Sequence, residues 1–285
     1  MGKVLITGIT GNVGFYVYKS LIDLGEEVKG GVRSIEKARK KIDNETEVVE
    51  FDFIKKNTYD KALESVDRVF LMRPPHIGKP EDLYLFINAM KRHGVKMLSF
   101  LSLMGIEKNP VPPHYKIEKY IEKVGLPYCH IRPGFFMQNI SEVHAKEIKD
   151  KNEIFIPAGK SKCSFIDAYD IGLATAEVLH NYKNHINTAY TITGRESLNY
   201  YEVADILSEV LGRKITYGKP SMLRFRSYMI KKRGLDKGFV TVMMMLYFMT
   251  KMGTAKKIYG DFEKITNKKT RTFREFAEKN KEKWI

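Results

Sequence analysis

Cysteine, long apolar runs and acidic residues are all in short supply in this chain. Cys129 and Cys163 are the only cysteines in 285 residues, and neither stands in a CxxC pair, so there is no disulfide framework. The longest apolar stretch, Phe239 to Thr250, falls short of the roughly 20 residues that a helical membrane span needs. Met1-Gly2-Lys3 runs directly into a strand-like segment with no secretory leader legible, and a cytoplasmic location is expected. Internal repeats and low-complexity linkers are missing. His76 and His93 carry no metal-ligand spacing with cysteine or acidic neighbours, so no metal is expected.

The deficit of acid is local. The chain carries 49 Lys and Arg against 34 Asp and Glu, a net charge of +15. From Lys219 to Ile285 there are 18 basic and 6 acidic residues, a surplus of 12, which leaves only +3 for everything before. Such a region attracts nucleic acid, anionic membrane or phosphorylated ligands. No recognition motif accompanies the charge, so nucleic acid is not expected as a partner and a solvated face is the plainer reading.

What is present is a rhythm. The content of 43% hydrophobic and 12% aromatic residues supports a sizeable core. Short apolar runs alternate with amphipathic helical patterns through the first half, the pattern of βαβ units around a parallel sheet. Strands are predicted at Lys3–Thr7, Glu27–Val32, Thr46–Phe51, Asp67–Met72, Lys96–Ser102 and Pro127–Ile131. Helices are predicted at Asn12–Leu24, Ser34–Lys41, Tyr59–Ser65, Glu81–His93 and His114–Val124. Further strands are read at Ser164–Ile166 and Ala189–Ile192, and further helices at Tyr169–His180 and Tyr200–Leu211. The expected fold is α/β, a Rossmann-type doubly wound parallel sheet with helices on both faces and a smaller, mostly helical C-terminal part that binds substrate. The division expected is a core over 1–150, with 164–193 returning to it, and a smaller region over 194–285.

Gly8-Ile9-Thr10-Gly11-Asn12-Val13-Gly14 follows the first strand and opens the first helix. A tight turn, close backbone approach and helix N-terminal amides together suit the diphosphate of a dinucleotide. At the end of the second strand an acidic residue would accept hydrogen bonds from the adenosine ribose, but Arg33 stands there. A guanidinium pairs with a 2′-phosphate, and Lys37 adds a second cation, so the expected cofactor is NADP, with NADPH preferred over NADH.

These residues resemble a known family. GITGNVG, the VRS after the second strand and the FLMRPP ending the fourth are similar to the NmrA-like group of the atypical short-chain dehydrogenase/reductases. HYKIEKYIEKVGLPYCHIRPGFFMQN, SFIDAYDIG and YTITGRESLNYYEVADIL continue the resemblance to about residue 215. The resemblance implies that Asp52 and Phe53 lie beside the adenine, and that Leu71, Met72 and Arg73 run past the nicotinamide-side ribose. It implies Lys119 near the nicotinamide, with Pro133 to Phe136, Phe135 included, forming the loop beside nicotinamide and substrate. The family includes NAD(P)H-dependent quinone reductases and isoflavone-type reductases, and also regulators that bind the dinucleotide without turning it over.

Tyr115 and Lys119 are four residues apart and share a helix face, and Ser102 ends the fifth strand. Ordinary short-chain dehydrogenases use that arrangement, with the lysine cation lowering the tyrosine pKa and the serine holding the substrate oxygen. Packing of Tyr115 on the Pro112-Pro113 loop is the competing reading. His114 is read either as a proton donor or as a polar contact at a helix start. Cys129 is expected to be inert in a buried strand, whereas Cys163 is placed in a looser, more exposed position with a redox role open to it. Phe135, Phe136, Met137 and the Met243–Phe248 run fit an apolar acceptor pocket, core packing, a subunit interface or a partner groove. Two functions therefore stand side by side. One is reduction of a small-molecule acceptor, a quinone or similar conjugated carbonyl, by NADPH. The other is a redox sensor that binds a partner protein. The expected assembly is a monomer or homodimer.

Overall fold

The structure is a computed structural model that describes residues 2–74 and 77–285. Pro75, within the FLMRPP run, and His76, read above for metal spacing, lie outside the described residues. In chain order the elements are β1 (Lys3–Thr7), α1 (Asn12–Asp23), β2 (Val28–Val32), α2 (Ile35–Arg39), β3 (Glu47–Glu50), α3 (Tyr59–Leu63), β4 (Val66–Met72) and α4 (Tyr84–Arg92). They continue with β5 (Met97–Leu101), α5 (Pro113–Val124), β6 (Tyr128–Pro133), α6 (Ala145–Lys151), β7 (Glu153–Ile154), α7 (Ala168–His180) and β8 (Thr188–Ile192). The chain closes with α8 (Tyr200–Leu211), β9 (Thr216–Tyr217), α9 (Met222–Lys231), α10 (Lys237–Lys251), α11 (Asp261–Thr266) and α12 (Phe273–Lys279).

Two compact units result. The first comprises Met1–Pro133, Ala168–Ile192 and Asp261–Lys268, and the second Gly134–Asp167, Thr193–Gly260 and Lys269–Ile285. The first unit thus ends at Pro133 rather than at the expected 150, because β6 is its last strand before the excursion. It also recovers α11, whose Asp261 carboxylate accepts a hydrogen bond from the Thr191 amide of β8 at 2.9 Å.

The first unit is a seven-stranded sheet in the order β3-β2-β1-β4-β5-β6-β8, every pair parallel. Parallel strands need helical crossovers, and these cover both faces. On one face Leu5, Val69, Leu71, Leu98 and Phe100 pack under α3, α4 and α5, with Phe86 at 4.5 Å from Phe51 and 5.1 Å from Tyr59 between ring centroids. On the other face α1 lies against α7 at Gly172, where an added Cβ would stand 2.4 Å from the Tyr16 Cβ and 2.7 Å from its carbonyl carbon. Only glycine allows that approach. The strand order reverses between β1 and β4, and ligands of such sheets bind outside the carboxyl ends at that point.

The amino ends of the strands are closed by charge. The Arg68 side chain, fully buried in β4, donates to both Glu26 carboxylate oxygens at 2.7 and 2.9 Å and to Asp67 at 2.9 Å. It also donates to the Leu179 and Gly2 carbonyls.

The second unit is mostly helical, with a parallel pair β7–β9. Capping boxes at Asn199/Glu202 and Thr272/Glu275 start α8 and α12. Trp284 is fully buried and donates to the Ile140 carbonyl at 3.1 Å. The strand expected at Ser164–Ile166 does not form. Ile166 and Cys163 make single bridges to Phe136 and Leu198, two different neighbours, so no ladder propagates. That pairing buries Cys163 completely, and burial pushes its thiol up to about 12, which corrects the exposed, redox-poised reading. Cys129 is likewise buried, with its thiol pushed up to about 12. No helix among the described residues is long and apolar enough to cross a membrane.

Candidate functional site

The carboxyl end of β1 is tied to β4 by Thr7, whose hydroxyl donates to the Phe70 carbonyl at 3.0 Å and accepts from the Met72 amide at 3.1 Å. The chain then turns at Gly8, in the left-handed region with φ 69°, and the Gly11 amide closes back on the Gly8 carbonyl at 2.9 Å. An added Cβ at Gly14 would stand 2.2 Å from the Gly8 oxygen and 2.8 Å from its carbon. The helix start can therefore sit against the turn only without a side chain there. Gly11 caps α1 with no side-chain hydrogen bond, and the first turn holds no acidic residue. Thr10 and Asn12 flank the opening, with Val13 buried behind it. Backbone amides at the positive end of a helix dipole, with no side-chain cap from Gly11, are the kind of group that binds an anion.

The other sequence-predicted residues follow the carboxyl ends of successive strands, so topology places them along the same edge. Arg33 comes one residue after β2, is exposed, and has no ion pair among the described residues. Ser34 caps α2 by accepting from the Lys37 amide at 3.4 Å, while the Lys37 side chain is exposed. Lys41 went unnoticed in the sequence. Its ammonium reaches back to the Thr10 carbonyl at 3.4 Å and stands beside the turn. No local pattern signals that contact, which spans 31 residues.

Asp52 caps its own loop, accepting from the Ile54 amide at 3.1 Å. The Phe53 ring is buried at 4.8 Å from Phe51 and 5.7 Å from Phe86, and its carbonyl accepts from the Tyr59 hydroxyl. Leu71 is buried in β4, and Met72 borders the turn, its sulfur 2.4 Å from where a Gly8 Cβ would stand. Arg73 donates to the Pro74 and Ile77 carbonyls, yet no carboxylate faces it among the described residues. Its buried Nε has no partner among the described residues, and burial holds the guanidinium below its usual range. Pro133 closes β6 and its carbonyl accepts from the Met104 amide at 3.0 Å. Phe135 belongs to the second unit, with its ring 6.2 Å from Tyr247 and its carbonyl accepting from the Ile166 amide.

Ser102, Tyr115 and Lys119 are not joined by hydrogen bonds among the described residues. The Ser102 hydroxyl is buried without a partner among the described residues. The Lys119 side chain is half exposed and pairs with Glu122 at 2.7 Å, a contact that raises its pKa. His114 stacks on Phe100 at 6.0 Å, and burial together with the Arg73 charge pushes its pKa down to about 3. It is a neutral imidazole at neutral pH, not a cation. Glu118, Glu122 and His130 bring potential ligand atoms within 4.8 Å of one another. Arg132 holds both Glu118 oxygens, at 3.0 and 2.7 Å, and Lys119 holds Glu122, so the carboxylates are neutralised within the protein. Elsewhere His93 pairs with Asp60 at 2.9 Å.

Comparison with known proteins agrees with this geometry. The model of the NmrA-like family matches residues 1–281. "Prestalk A differentiation protein A" of Dictyostelium discoideum is 30% identical over 280 residues, covering 96% of this chain and 91% of its own. An NAD(P)H azoreductase of Xenophilus azovorans is 30% identical over 280 residues, covering 96% of each. Among solved structures, an NADPH-dependent quinone oxidoreductase from Escherichia coli, complexed with NADPH, superposes with a TM-score of 0.87 at 23% identity over 96% of this chain and 98% of its own. With a match over nearly the whole length, a parallel sheet of the same architecture and the glycine turn at its centre, the chain belongs to the NmrA-like family.

Proposed function

We propose that this chain is an NADPH-dependent oxidoreductase acting on a quinone or a similarly conjugated small acceptor. The observation that carries the reading is the uncapped start of α1, pressed against Gly8 at a distance only Gly14 permits. Its amides would hold the diphosphate of the dinucleotide. Arg33 and Lys37, exposed and without ion pairs among the described residues, suit a 2′-phosphate, and Lys41 adds positive charge beside the turn. The azoreductase relative and the quinone oxidoreductase of like fold support the same class of chemistry. When bound, the dinucleotide supplies a hydride. The residues of this chain orient it and hold its charge, and water is read as the proton source, since Ser102, Tyr115 and Lys119 share no hydrogen bond among the described residues. Steady-state oxidation of NADPH against quinones, enones and azo dyes tests the reading, with turnover above background expected for at least one class.

The pairing of Lys119 with Glu122, and the burial of Ser102, favour a second reading in which the chain senses the dinucleotide without using it. Tight NADPH binding with no turnover across the panel would select that reading. A pull-down in NADP+ against NADPH then looks for a partner held in one redox state only.

A further inference from the structure

Helix α10 is apolar around nearly its whole circumference, yet half of it lies in solvent. Val240, Met243, Tyr247 and Thr250 form its buried side. The opposite arc presents Phe239, Val242, Met245 and Phe248, between 37% and 56% exposed, and Met252 at 68% continues it past the helix end. At 1.5 Å per residue this stripe is about 20 Å long. A helix of this composition is ordinarily covered on all sides, and an exposed apolar patch of this kind marks an interaction surface.

The segment around the stripe is strongly basic. Between Pro220 and Gly260 nine Lys and Arg face a single acid, Asp236, whose carboxylate is spent capping α10 at the Phe239 amide. Beside α9 lies a cleft of about 350 Å³, where Lys151, Arg224, Lys231 and Lys232 outnumber the one acid, Glu153, around Phe155 and Tyr228. Lys151 donates to the Tyr228 hydroxyl at 3.0 Å, and the Arg224 guanidinium sits 5.5 Å from the Phe155 ring centre. Lys231 and Lys232 are exposed and have no ion pair among the described residues. Leu223, 79% exposed, precedes Arg224 on the same helix.

We propose that the α9–α10 face docks on an anionic phospholipid surface. The cleft takes a headgroup phosphate, and the Phe239–Met252 stripe enters the boundary between headgroups and acyl chains. Charge complementarity selects this occupant. A second copy of the chain would bury the stripe but bring two faces of like charge together. A nucleic acid would neutralise the cations but leave the apolar stripe in water. An anionic lipid surface satisfies both features, by the physics of interfacial basic helices. The docking is peripheral and does not depend on the dinucleotide reading.

The test is co-sedimentation of the full chain, at low and high salt, with vesicles of phosphatidylcholine alone and of equal parts phosphatidylcholine and phosphatidylglycerol. Binding to the mixed vesicles only, weakened by salt, is expected. Phe248→Asp and the double variant Lys231→Glu/Lys232→Glu are each expected to weaken it by about tenfold or more, through lost apolar insertion and lost surface attraction respectively. An unchanged thermal transition by circular dichroism shows that each variant folds, since both sites are exposed. Equal binding to neutral vesicles, or binding that both variants leave intact, overturns the proposal. So does a concentration-dependent dimer that Phe248→Asp dissociates, or tighter binding to a duplex oligonucleotide that Phe248→Asp leaves unchanged.

Discussion

Arginines at the two ends of the same sheet are treated in opposite ways. At the amino end, Arg68 is fully buried and meets Glu26, Asp67 and two backbone carbonyls, so the fold itself satisfies the charge. At the carboxyl end, Arg33 and Arg73 have no carboxylate among the described residues, and the helix that starts there has no cap. A buried charge costs stability unless it is paired, whereas a charge left unpaired at a cleft attracts a counterion from outside. The amino end is therefore built for stability, and the carboxyl end keeps positive charge available for a ligand anion.

The contrast can be broken most forcefully at the amino end. Arg68→Met removes the buried cation between Glu26 and Asp67, leaving them only the more exposed His180 and Lys96 contacts, and removing one partner of a buried pair costs about 3–5 kcal/mol. Urea unfolding should show that loss, while dinucleotide affinity of the folded fraction stays unchanged. An equal loss of affinity would mean that the two ends are not separate in purpose. At the carboxyl end, Gly14→Val forces α1 away from Gly8 and is expected to weaken dinucleotide binding by about a hundredfold or more, since phosphate contacts at a helix start need that close approach. Isothermal titration calorimetry measures this, with circular dichroism confirming the fold.

Arg33→Ala sharpens the contrast further. Loss of a charge-assisted contact worth about 1.5–3 kcal/mol should weaken NADPH binding some ten- to a hundredfold and leave NADH untouched. Equal affinities for the two in the wild type would remove the 2′-phosphate role of Arg33.

Acid separates the two ends as well. Pairing holds the Glu26 and Asp67 carboxyls below their usual range, so their contribution is present above pH 4–5 and is lost as pH falls through their lowered values. His114, pushed down to about 3, stays neutral in the folded chain while the unfolded chain takes up a proton near 6.5. Its share of stability is whole above pH 6.5 and declines from there to about 3. Arg73→Met removes one cause of the depression, so the His114 titration followed by NMR should move upward. A titration that stays in place would assign the whole depression to burial. Tyr115→Phe and Lys119→Ala give the smallest effects expected. Without an assembled relay, each should change kcat by less than about fivefold, where loss of a general acid costs 10²–10⁴.

Much of the first unit was legible in advance because its signals are local. The glycines of the first turn, the Ser34 cap and the run of apolar strands each depend on residues a few positions apart, and β1, β4 and β5 appear within a residue or so of the expected limits. The expected Ser164–Ile166 strand failed because β-propensity says nothing of whether one neighbour offers a whole ladder, and here two neighbours each offer a single bridge. Phe53 and Lys119 were placed by resemblance near a cofactor. In the fold the Phe53 ring packs with Phe51 and Phe86 and Lys119 pairs with Glu122, contacts that no local pattern signals.

The amino-acid sequence by itself determined the parallel α/β architecture, the glycine turn and the presence of a cation, Arg33, after the second strand, since period, glycine spacing and residue type are properties of neighbouring positions. Only the tertiary structure decided which cations are satisfied and which are left for a ligand. The partners of Arg68 lie 42 residues away at Glu26 and 111 residues away at Leu179, and the contact of Lys41 with the turn spans 31. Charge balance is a matter of distances in space, and folding alone sets those.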